Sequence, residues 1–193
     1  MAAALKTSKI AFIGGGNMAA AIIGGFAVPK TNITVSEPWD VNREKMAALG
    51  VHTTTSNSEA AANADVIIVA VKPQVTRTVC EELASAWKDD GKRRPVIVSI
   101  AAGITLESLQ NWLSVNGDAG PPHIVRVMPN TPALVGEGAS GLVASADVTA
   151  TEKDLVNSLF QSVSKVTEWV DREELLDVVT GLSGAYLPRS PNP

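Results

Sequence analysis

The chain has 193 residues, of which 45% are hydrophobic and 19% are charged, and its formal net charge is −4. This length suits one domain with a short extension, since domains run to about 100–200 residues, and it buries roughly 70% of the unfolded surface without disulfides or a metal. The scattered basic residues exclude a nucleic-acid-binding face, and no apolar run approaches the ~20 residues that cross a membrane.

Short apolar runs alternate with helical stretches along the chain. The predicted strands, in chain order, are residues 9–13, 33–35, 51–53, 65–71, 96–100, 124–128, a hairpin-like segment at 139–144, and 166–170. The predicted helices are residues 17–26, 40–49, 58–63, 76–87, 106–113 and 151–163, with Thr151 as the cap of the latter and a final helix starting near Arg172. Three prolines after position 187 end this pattern, because proline cannot continue a helix.

The apolar runs indicate a parallel sheet. Residues 66–71 and 96–100 are apolar at consecutive positions rather than alternate ones, which is typical of strands covered on both faces. Strand–helix alternation at this spacing gives right-handed βαβ units. The sequence therefore predicts an α/β fold with a doubly wound, mainly parallel sheet.

A glycine-rich turn follows the first predicted strand. In residues 14–19, GGGNMA, Gly14 allows a tight turn, Gly16 lets the backbone approach a pyrophosphate, and Ala19 keeps the next helix close to the sheet. The helix that starts near Asn17 offers free N–H groups and its positive dipole end to phosphates. A glycine turn without a ligand is the alternative, but the strand–turn–helix context favours a Rossmann-type domain that binds a nicotinamide dinucleotide.

Glu37 follows the second predicted strand. A carboxylate at this place accepts hydrogen bonds from the adenosine ribose and repels a 2′-phosphate, which favours NADH over NADPH. Ser36 beside it could instead donate to a phosphate, with Lys30 or Arg43 folding near. A solvated turn acid is the remaining interpretation of Glu37.

Further candidate residues follow the later strands, because ligands of open parallel sheets lie beyond the carboxyl ends of the strands. Lys72 could offer a charge there, or be a solvated turn residue, and Pro73 starts a helix. The small residues at 101–103 would let a flat ring lie against the backbone. Asn130 and Thr131, bracketed by prolines, would hold an amide and a hydroxyl where a nicotinamide ring would lie.

Other chemistries lack their residues. His52 and His123 are isolated and no Cys/His cluster has ligand spacing, so we expect no metal site and a structural role for His123. There is no nucleophile elbow and no Walker loop. The single cysteine, Cys80, excludes an internal disulfide, fits a reducing compartment and is expected on a helix as a small apolar residue. Too few residues precede the first strand for a signal peptide, so we expect a cytoplasmic protein.

Five motifs, in the same order, resemble those of the pyrroline-5-carboxylate reductases. They are FIGGGNMA at 12–19, AVKP at 70–73, SIAAG at 99–103, RVMPNTPA at 126–133 and VTGLSG at 179–184. The resemblance implies reduction of 1-pyrroline-5-carboxylate to L-proline, the last step of proline biosynthesis, by hydride from NADPH or NADH. Members of this family are homo-oligomers that associate through a helical C-terminal domain, which we expect to be absent here.

The resemblance further implies a set of contact residues. Glu173 resembles a family position close to bound proline, and Glu37 falls where the family often carries a hydroxyl for the 2′-phosphate, which favours NADH or the use of both cofactors. The implied cofactor contacts are Ile13, Gly14, Gly15, Gly16, Asn17, Met18, Asn57, Ala70, Val71, Lys72, Pro73, Ile100, Ala101 and Ala102.

The end of the chain departs from the family pattern. We expect residues 1–170 to form the dinucleotide-binding domain and residues 171–193 to begin an inter-domain helix and end in an irregular tail, the helical dimerisation domain being truncated. Because that domain supplies much of the substrate pocket, we expect impaired turnover. The alternatives are a non-catalytic NAD(P)-binding module and a 3-hydroxyacid dehydrogenase of the same broad fold, which would need a catalytic lysine on a following helical domain.

Overall fold

The computed structural model describes residues 6–87, 94–114, 120–129 and 138–176. Its strands are β1 (Ile10–Ile13), β2 (Ile33–Ser36), β3 (His52–Thr54), β4 (Val66–Val69), β5 (Val96–Ser99), β6 (Ile124–Pro129), β7 (Gly138–Ala144) and β8 (Ser164–Trp169). Its helices are α1 (Asn17–Gly25), α2 (Asp40–Ala47), α3 (Asn57–Ala61), α4 (Pro73–Ala86), α5 (Leu106–Leu113) and α6 (Ala150–Gln161), with a 3-10 turn at Lys30–Asn32. Each predicted strand therefore has a counterpart.

The strands described form one sheet in the order β3-β2-β1-β4-β5-β6-β7-β8. Strands β1 to β6 pair in parallel, β7 is antiparallel to β6, and β8 is parallel to β7. Because β1 lies between β2 and β4, the chain reverses its direction across the sheet at β1, and a crevice opens there at the carboxyl ends of the strands. The predicted Rossmann-type, doubly wound and mainly parallel sheet is confirmed.

Both faces of the sheet are covered, and β1 shows how. All four of its residues are buried. Successive side chains of a strand point to opposite faces, so Ile10 and Phe12 pack in the core that α1 and α6 cover, and Ala11 and Ile13 pack beneath α3, α4 and α5. This two-sided burial is the physical reason for the uninterrupted apolar runs in the sequence.

Cys80 belongs to the core on α4, as predicted, and is fully buried. Burial, with a smaller effect of the neighbouring Glu81 carboxylate, raises the pKa of the Cys80 thiol to about 12. The thiol is therefore protonated near neutral pH and is a weak nucleophile.

One helix start confirms the sequence prediction for a proline, and another differs from the prediction. Helix α4 begins at Pro73, as predicted, three residues before the helical stretch expected from residue 76, because proline at the first helical position lacks only an N–H that would be unpaired there. The cap of α6 is Thr149 rather than Thr151: the Thr149 hydroxyl accepts the N–H of Glu152, whose carboxylate accepts the N–H of Thr149. The prediction was wrong because Thr151, unlike Thr149, has no glutamate three positions later to complete a capping box. Within the residues described, no helix combines the length and the apolar character needed to cross a bilayer.

Candidate functional site

The turn between β1 and α1 requires glycine at its first position. Gly14 has a φ of +103°, in the region that L side chains rarely adopt. A Cβ there would lie 2.7 Å from the carbonyl oxygen of Ala70, and the Gly14 N–H donates to the carbonyl of Ser36 at 2.8 Å. The turn is thus held between the ends of β2 and β4, at the reversal point of the sheet.

Helix α1 opens toward unfilled space. Its cap residue, Gly16, provides no side-chain hydrogen bond, and the first turn carries no acidic residue. A Cβ added to Gly16 would meet no atom within 4 Å. The first N–H groups of a helix have no partner within the helix, so this end presents donors and a positive dipole to the crevice. This arrangement fits a diphosphate, which needs N–H donors and a backbone without side chains.

Glu37 lies behind this turn rather than in the open crevice. Its side chain is buried, with 6% of the residue exposed. Oε2 accepts the N–H of Gly15 at 2.7 Å, and Oε1 accepts the N–H of Trp39 at 3.0 Å. The expectation of a carboxylate free to face a ribose is therefore not met, because the backbone already uses both oxygens. A ribose contact through their remaining lone pairs stays a prediction.

The other polar residues at the end of β2 are also engaged. Ser36 is buried, and its hydroxyl donates to Oδ1 of Asn57 at 2.7 Å, while Nδ2 of Asn57 donates to Glu82 at 2.8 Å. Ser36 therefore does not present a free hydroxyl to a phosphate. Arg43 does fold beside Glu37: it donates to the Glu37 carbonyl at 3.0 Å and pairs with the Asp40 carboxylate.

Lys30, the other predicted neighbour, lies elsewhere. Its ammonium donates to the carbonyl oxygens of Ile23 and Phe26, which belong to the C-terminal end of α1. Lysine near a helix C-terminus satisfies the last carbonyls there. Partial burial lowers the pKa of Lys30. The prediction that Lys30 folds near Glu37 was wrong because β2 separates them: Lys30 precedes the strand and Glu37 follows it.

Strands β1, β4 and β5 end at one level beside the turn. The N–H of Ala70 donates to Ile13 at 2.8 Å, and that of Ile100 donates to Val69 at 3.2 Å. The structure thereby brings residues 13–18, 70–73 and 100–102 to one edge of the sheet. The side chains of Lys72 and Ala102 are exposed there. The roles of these residues in cofactor binding stay predictions.

Glu173 is held by two donors. Its Oε1 accepts the N–H of Leu106, at the start of α5, at 2.7 Å, and it pairs with the guanidinium of Arg126. Arg126 is 3% exposed, and one of its terminal nitrogens has no hydrogen-bond partner. The predicted platform residues Asn130 and Thr131 lie outside the described residues.

The sequence analysis assigned no role to two residues near the site, Arg126 and Trp39. Arg126 interrupts an apolar strand, and a cation in a buried strand signals a partner within reach, here the partly buried Glu173. Trp39 follows Glu37 closely and is 75% exposed. An exposed aromatic residue two positions after the acid of the second strand was the available signal for a flat apolar surface beside the site.

Among the described residues, no cluster of three or more histidine, cysteine, aspartate or glutamate side chains could hold a metal ion. His123 instead lies 2.8 Å from Glu152 through Nδ1, which joins the start of β6 to the start of α6.

Comparisons with known proteins agree with this geometry. Residues 9–103 match the family described as "NADP oxidoreductase coenzyme F420-dependent". The pyrroline-5-carboxylate reductase of Pseudomonas aeruginosa is 44% identical over 185 residues, covering 94% of this chain and 64% of that protein. The reductase of Arabidopsis thaliana is 38% identical, covering 93% of this chain and 63% of its own length.

Solved structures give the same result. The pyrroline-5-carboxylate reductase of Coxiella burnetii superposes with a TM-score of 0.84 at 37% identity, over 94% of this chain and 65% of that one. The Plasmodium falciparum enzyme, solved with NADP bound, has a TM-score of 0.75 at 25% identity, over the same shares of the two chains. A prephenate dehydrogenase from Aquifex aeolicus, at 16% identity and a TM-score of 0.69, shares the fold alone.

The chain spans about 64% of the length of the curated relatives it matches. Within that span the likeness is continuous, because it covers 94% of this chain in both sequence and structure. The resemblance seen in the five motifs is confirmed: this chain is similar, in sequence and in fold, to the pyrroline-5-carboxylate reductases.

Proposed function

We propose that this chain binds a nicotinamide dinucleotide and acts as the cofactor-binding part of a pyrroline-5-carboxylate reductase. The reaction is hydride transfer from NAD(P)H to 1-pyrroline-5-carboxylate, which gives L-proline. The observation that carries the proposal is the open N-terminus of α1 behind a turn that only glycine can form at Gly14. The five shared motifs supply the reaction type.

The proposal assigns three groups of residues to three parts of the cofactor. The diphosphate lies on the turn and the first N–H groups of α1, at residues 13–18. The adenosine lies at the end of β2, near Ser36, Glu37 and Asn57. The nicotinamide lies beyond β4 and β5, over residues 70–73 and 100–102, toward the platform of Asn130 and Thr131.

A nicotinamide dinucleotide supplies the hydride when bound. The chain contributes position: the short side chains of Ala101 and Ala102 leave room for a flat ring against the backbone, with Ala102 exposed. A protonated cyclic imine is already electrophilic, so holding the two reactants in register lowers the barrier more than a dedicated acid would. Glu173 remains a proposed substrate contact, and in that role it would exchange one of its present donors for the substrate.

We propose NADH rather than NADPH as the better ligand. Glu37 and Asp40 place two carboxylates at the end of β2, and the nearby Arg43 is already paired with Asp40. The additional negative charge of a 2′-phosphate would be repelled there. Dissociation constants for NADH and NADPH, measured by calorimetry in the same buffer, test the preference, and tighter binding of NADPH would refute it.

Two measurements separate this function from that of a binding module without catalysis. Calorimetric titration with NADH tests the cofactor site, and absence of binding to either dinucleotide would refute the proposal. Steady-state reduction of 1-pyrroline-5-carboxylate by NADH then tests the reaction. Binding without turnover would favour the module.

The remaining expectations belong to the same proposal. They are a dinucleotide-binding domain formed by residues 1–170, the start of an inter-domain helix and an irregular tail at 171–193, a small-molecule substrate and a cytoplasmic location. Sedimentation velocity measures the oligomeric state of the 193-residue chain.

A further inference from the structure

We propose that Glu37 is a positioning residue that holds the glycine turn in its diphosphate-binding shape, and that it does not act as a ribose ligand. The inference rests on the proposed dinucleotide binding and deepens it, because it assigns Glu37 to the diphosphate end of the site. It differs from the sequence-based expectation in which the carboxylate chooses between NADH and NADPH by direct contact.

The carboxylate joins two segments that both border the site. Oε2 accepts the N–H of Gly15 within the turn, and Oε1 accepts the N–H of Trp39 at the start of α2. The backbone N–H of Glu37 itself donates to Thr54 of β3 at 2.9 Å, so the residue is anchored to the sheet. The turn, β2 and α2 are therefore tied together through one side chain.

The hydrogen bond from Gly15 to Glu37 also shows which N–H groups of the turn bind protein acceptors and which are left for a diphosphate. The N–H of Gly14 is used by Ser36 and the N–H of Gly15 by Glu37, so both point away from the crevice. The donors left for a diphosphate are those at the start of α1. A buried hydrogen bond to an ionised acceptor is stronger than one between neutral groups. It therefore resists rotation of the Gly15 peptide, which would reorient the phosphate-binding N–H groups.

Close packing supports the same role. A Cβ on Gly15 would lie 3.1 Å from Cβ and 3.2 Å from Cγ of Glu37, so the side chain is stacked directly on the turn. On its other side, a Cβ on Gly15 would lie 3.0 Å from Cγ of Met46. If the carboxylate turned out of this position to face a ribose, it would leave the N–H groups it now accepts, and Gly15 would keep a buried, unpaired donor.

The test compares Glu37→Asp and Glu37→Gln with the parent chain. Aspartate keeps the charge and can still accept the N–H of Trp39, two residues away, but it is too short to reach Gly15 as well. Glutamine keeps the length but has only one acceptor atom for two N–H donors. Glu44→Asp, at an exposed position on α2, is the matched control for shortening an acidic side chain.

Calorimetry with NADH and NADPH gives the decisive readout. We expect Glu37→Asp to weaken both dinucleotides by the same factor, about tenfold, with an unchanged ratio of the two dissociation constants, and to lower the thermal midpoint below that of Glu44→Asp because the Gly15 N–H loses its acceptor. A merely structural role would lower the midpoint without this shared loss. Unchanged affinity for both ligands would overturn the proposal, and so would a loss confined to NADH.

The parent chain provides a test that needs no variant. A scalar coupling across the hydrogen bond between the Gly15 amide nitrogen and the Glu37 side-chain carboxyl carbon is expected by NMR, together with slow exchange of that amide proton. Absence of both would overturn the positioning role of Glu37 even if the variants failed to fold. If the parent bound neither dinucleotide while the coupling was present, the proposed function would fail and the positioning role would fail with it.

Discussion

Replacing Gly16 with alanine probes cofactor binding at a site where the fold has room for the change. Gly16 has a φ of −75° and a ψ of −177°, which alanine adopts without strain. An added Cβ meets no atom within 4 Å. The new methyl group would instead occupy the space in front of the first N–H groups of α1, where the diphosphate is proposed to lie.

The expected magnitudes separate the two effects. Alanine is a poorer helix cap than glycine but restricts the unfolded chain, and these terms nearly cancel, so the free energy of unfolding should stay within ~1 kcal/mol of the parent value. Hydrogen bonds to charged groups contribute about 1.5–3 kcal/mol each. Loss of one or two of them corresponds to about 3 kcal/mol, or a roughly 100-fold weaker dissociation constant for NADH.

Urea unfolding and calorimetric titration with NADH measure the two quantities on the same preparation. Gly24→Ala is the matched control, because it lies within α1, also meets no atom within 4 Å, and should gain about 0.8–1 kcal/mol of stability without a change in affinity. Gly14→Ala is the opposite case: strain at its positive φ and the contact with Ala70 should cost at least ~2 kcal/mol of stability. If Gly16→Ala bound NADH as tightly as the parent, the diphosphate would not lie on the start of α1.

Three further predictions concern other residues. Trp39→Ala should weaken NADH and NADPH alike by about tenfold, the effect of losing a stacked base, and equal affinities in a titration would count against adenine stacking there. Burial raises the pKa of Glu152, but the cap hydrogen bonds of α6 and the His123 ring outweigh it, so the pKa is lowered. Because the folded-state pKa of Glu152 lies below its unfolded value of about 4.3, the carboxylate stabilises the protein above that pH, and this stability is lost as the pH falls through the folded-state pKa. Glu152→Gln should therefore make the free energy of unfolding, measured in urea, fall less steeply at acid pH. An unchanged pH dependence would contradict this. Arg126→Ala should cost about 3 kcal/mol in urea unfolding, because it leaves the Glu173 carboxylate without its ion-pair partner, and a loss below ~1 kcal/mol would show that the pair contributes little.

The elements that the sequence predicted correctly share a local cause. The apolar runs of β1, β4 and β5 became strands because their residues are buried on both faces, and the glycine turn was recognisable because no other residue tolerates the backbone of Gly14. Cys80 was assigned to the core from its apolar setting alone. These features depend on neighbours in sequence, so they can be read without the fold.

The errors share a different cause. Of the two cations expected near Glu37, Arg43 was placed correctly, but Lys30 precedes β2 and Glu37 follows it, and the orientation of the Glu37 carboxylate depends on the fold. The cap of α6 was misplaced by two residues because two threonines stand close together, and only the reciprocal bond with Glu152 identifies Thr149.

By itself, the sequence determined the class of sheet, the position of the dinucleotide turn and the likeness to a reductase family, because these follow from residue type and spacing. The tertiary structure alone decided the parallel pairing of β8 with β7, the Arg126–Glu173 ion pair, and the use of the Glu37 carboxylate. Each of these joins residues far apart in the chain, and a buried polar group takes whichever partner the fold brings within reach, since leaving it unpaired costs more than any local preference.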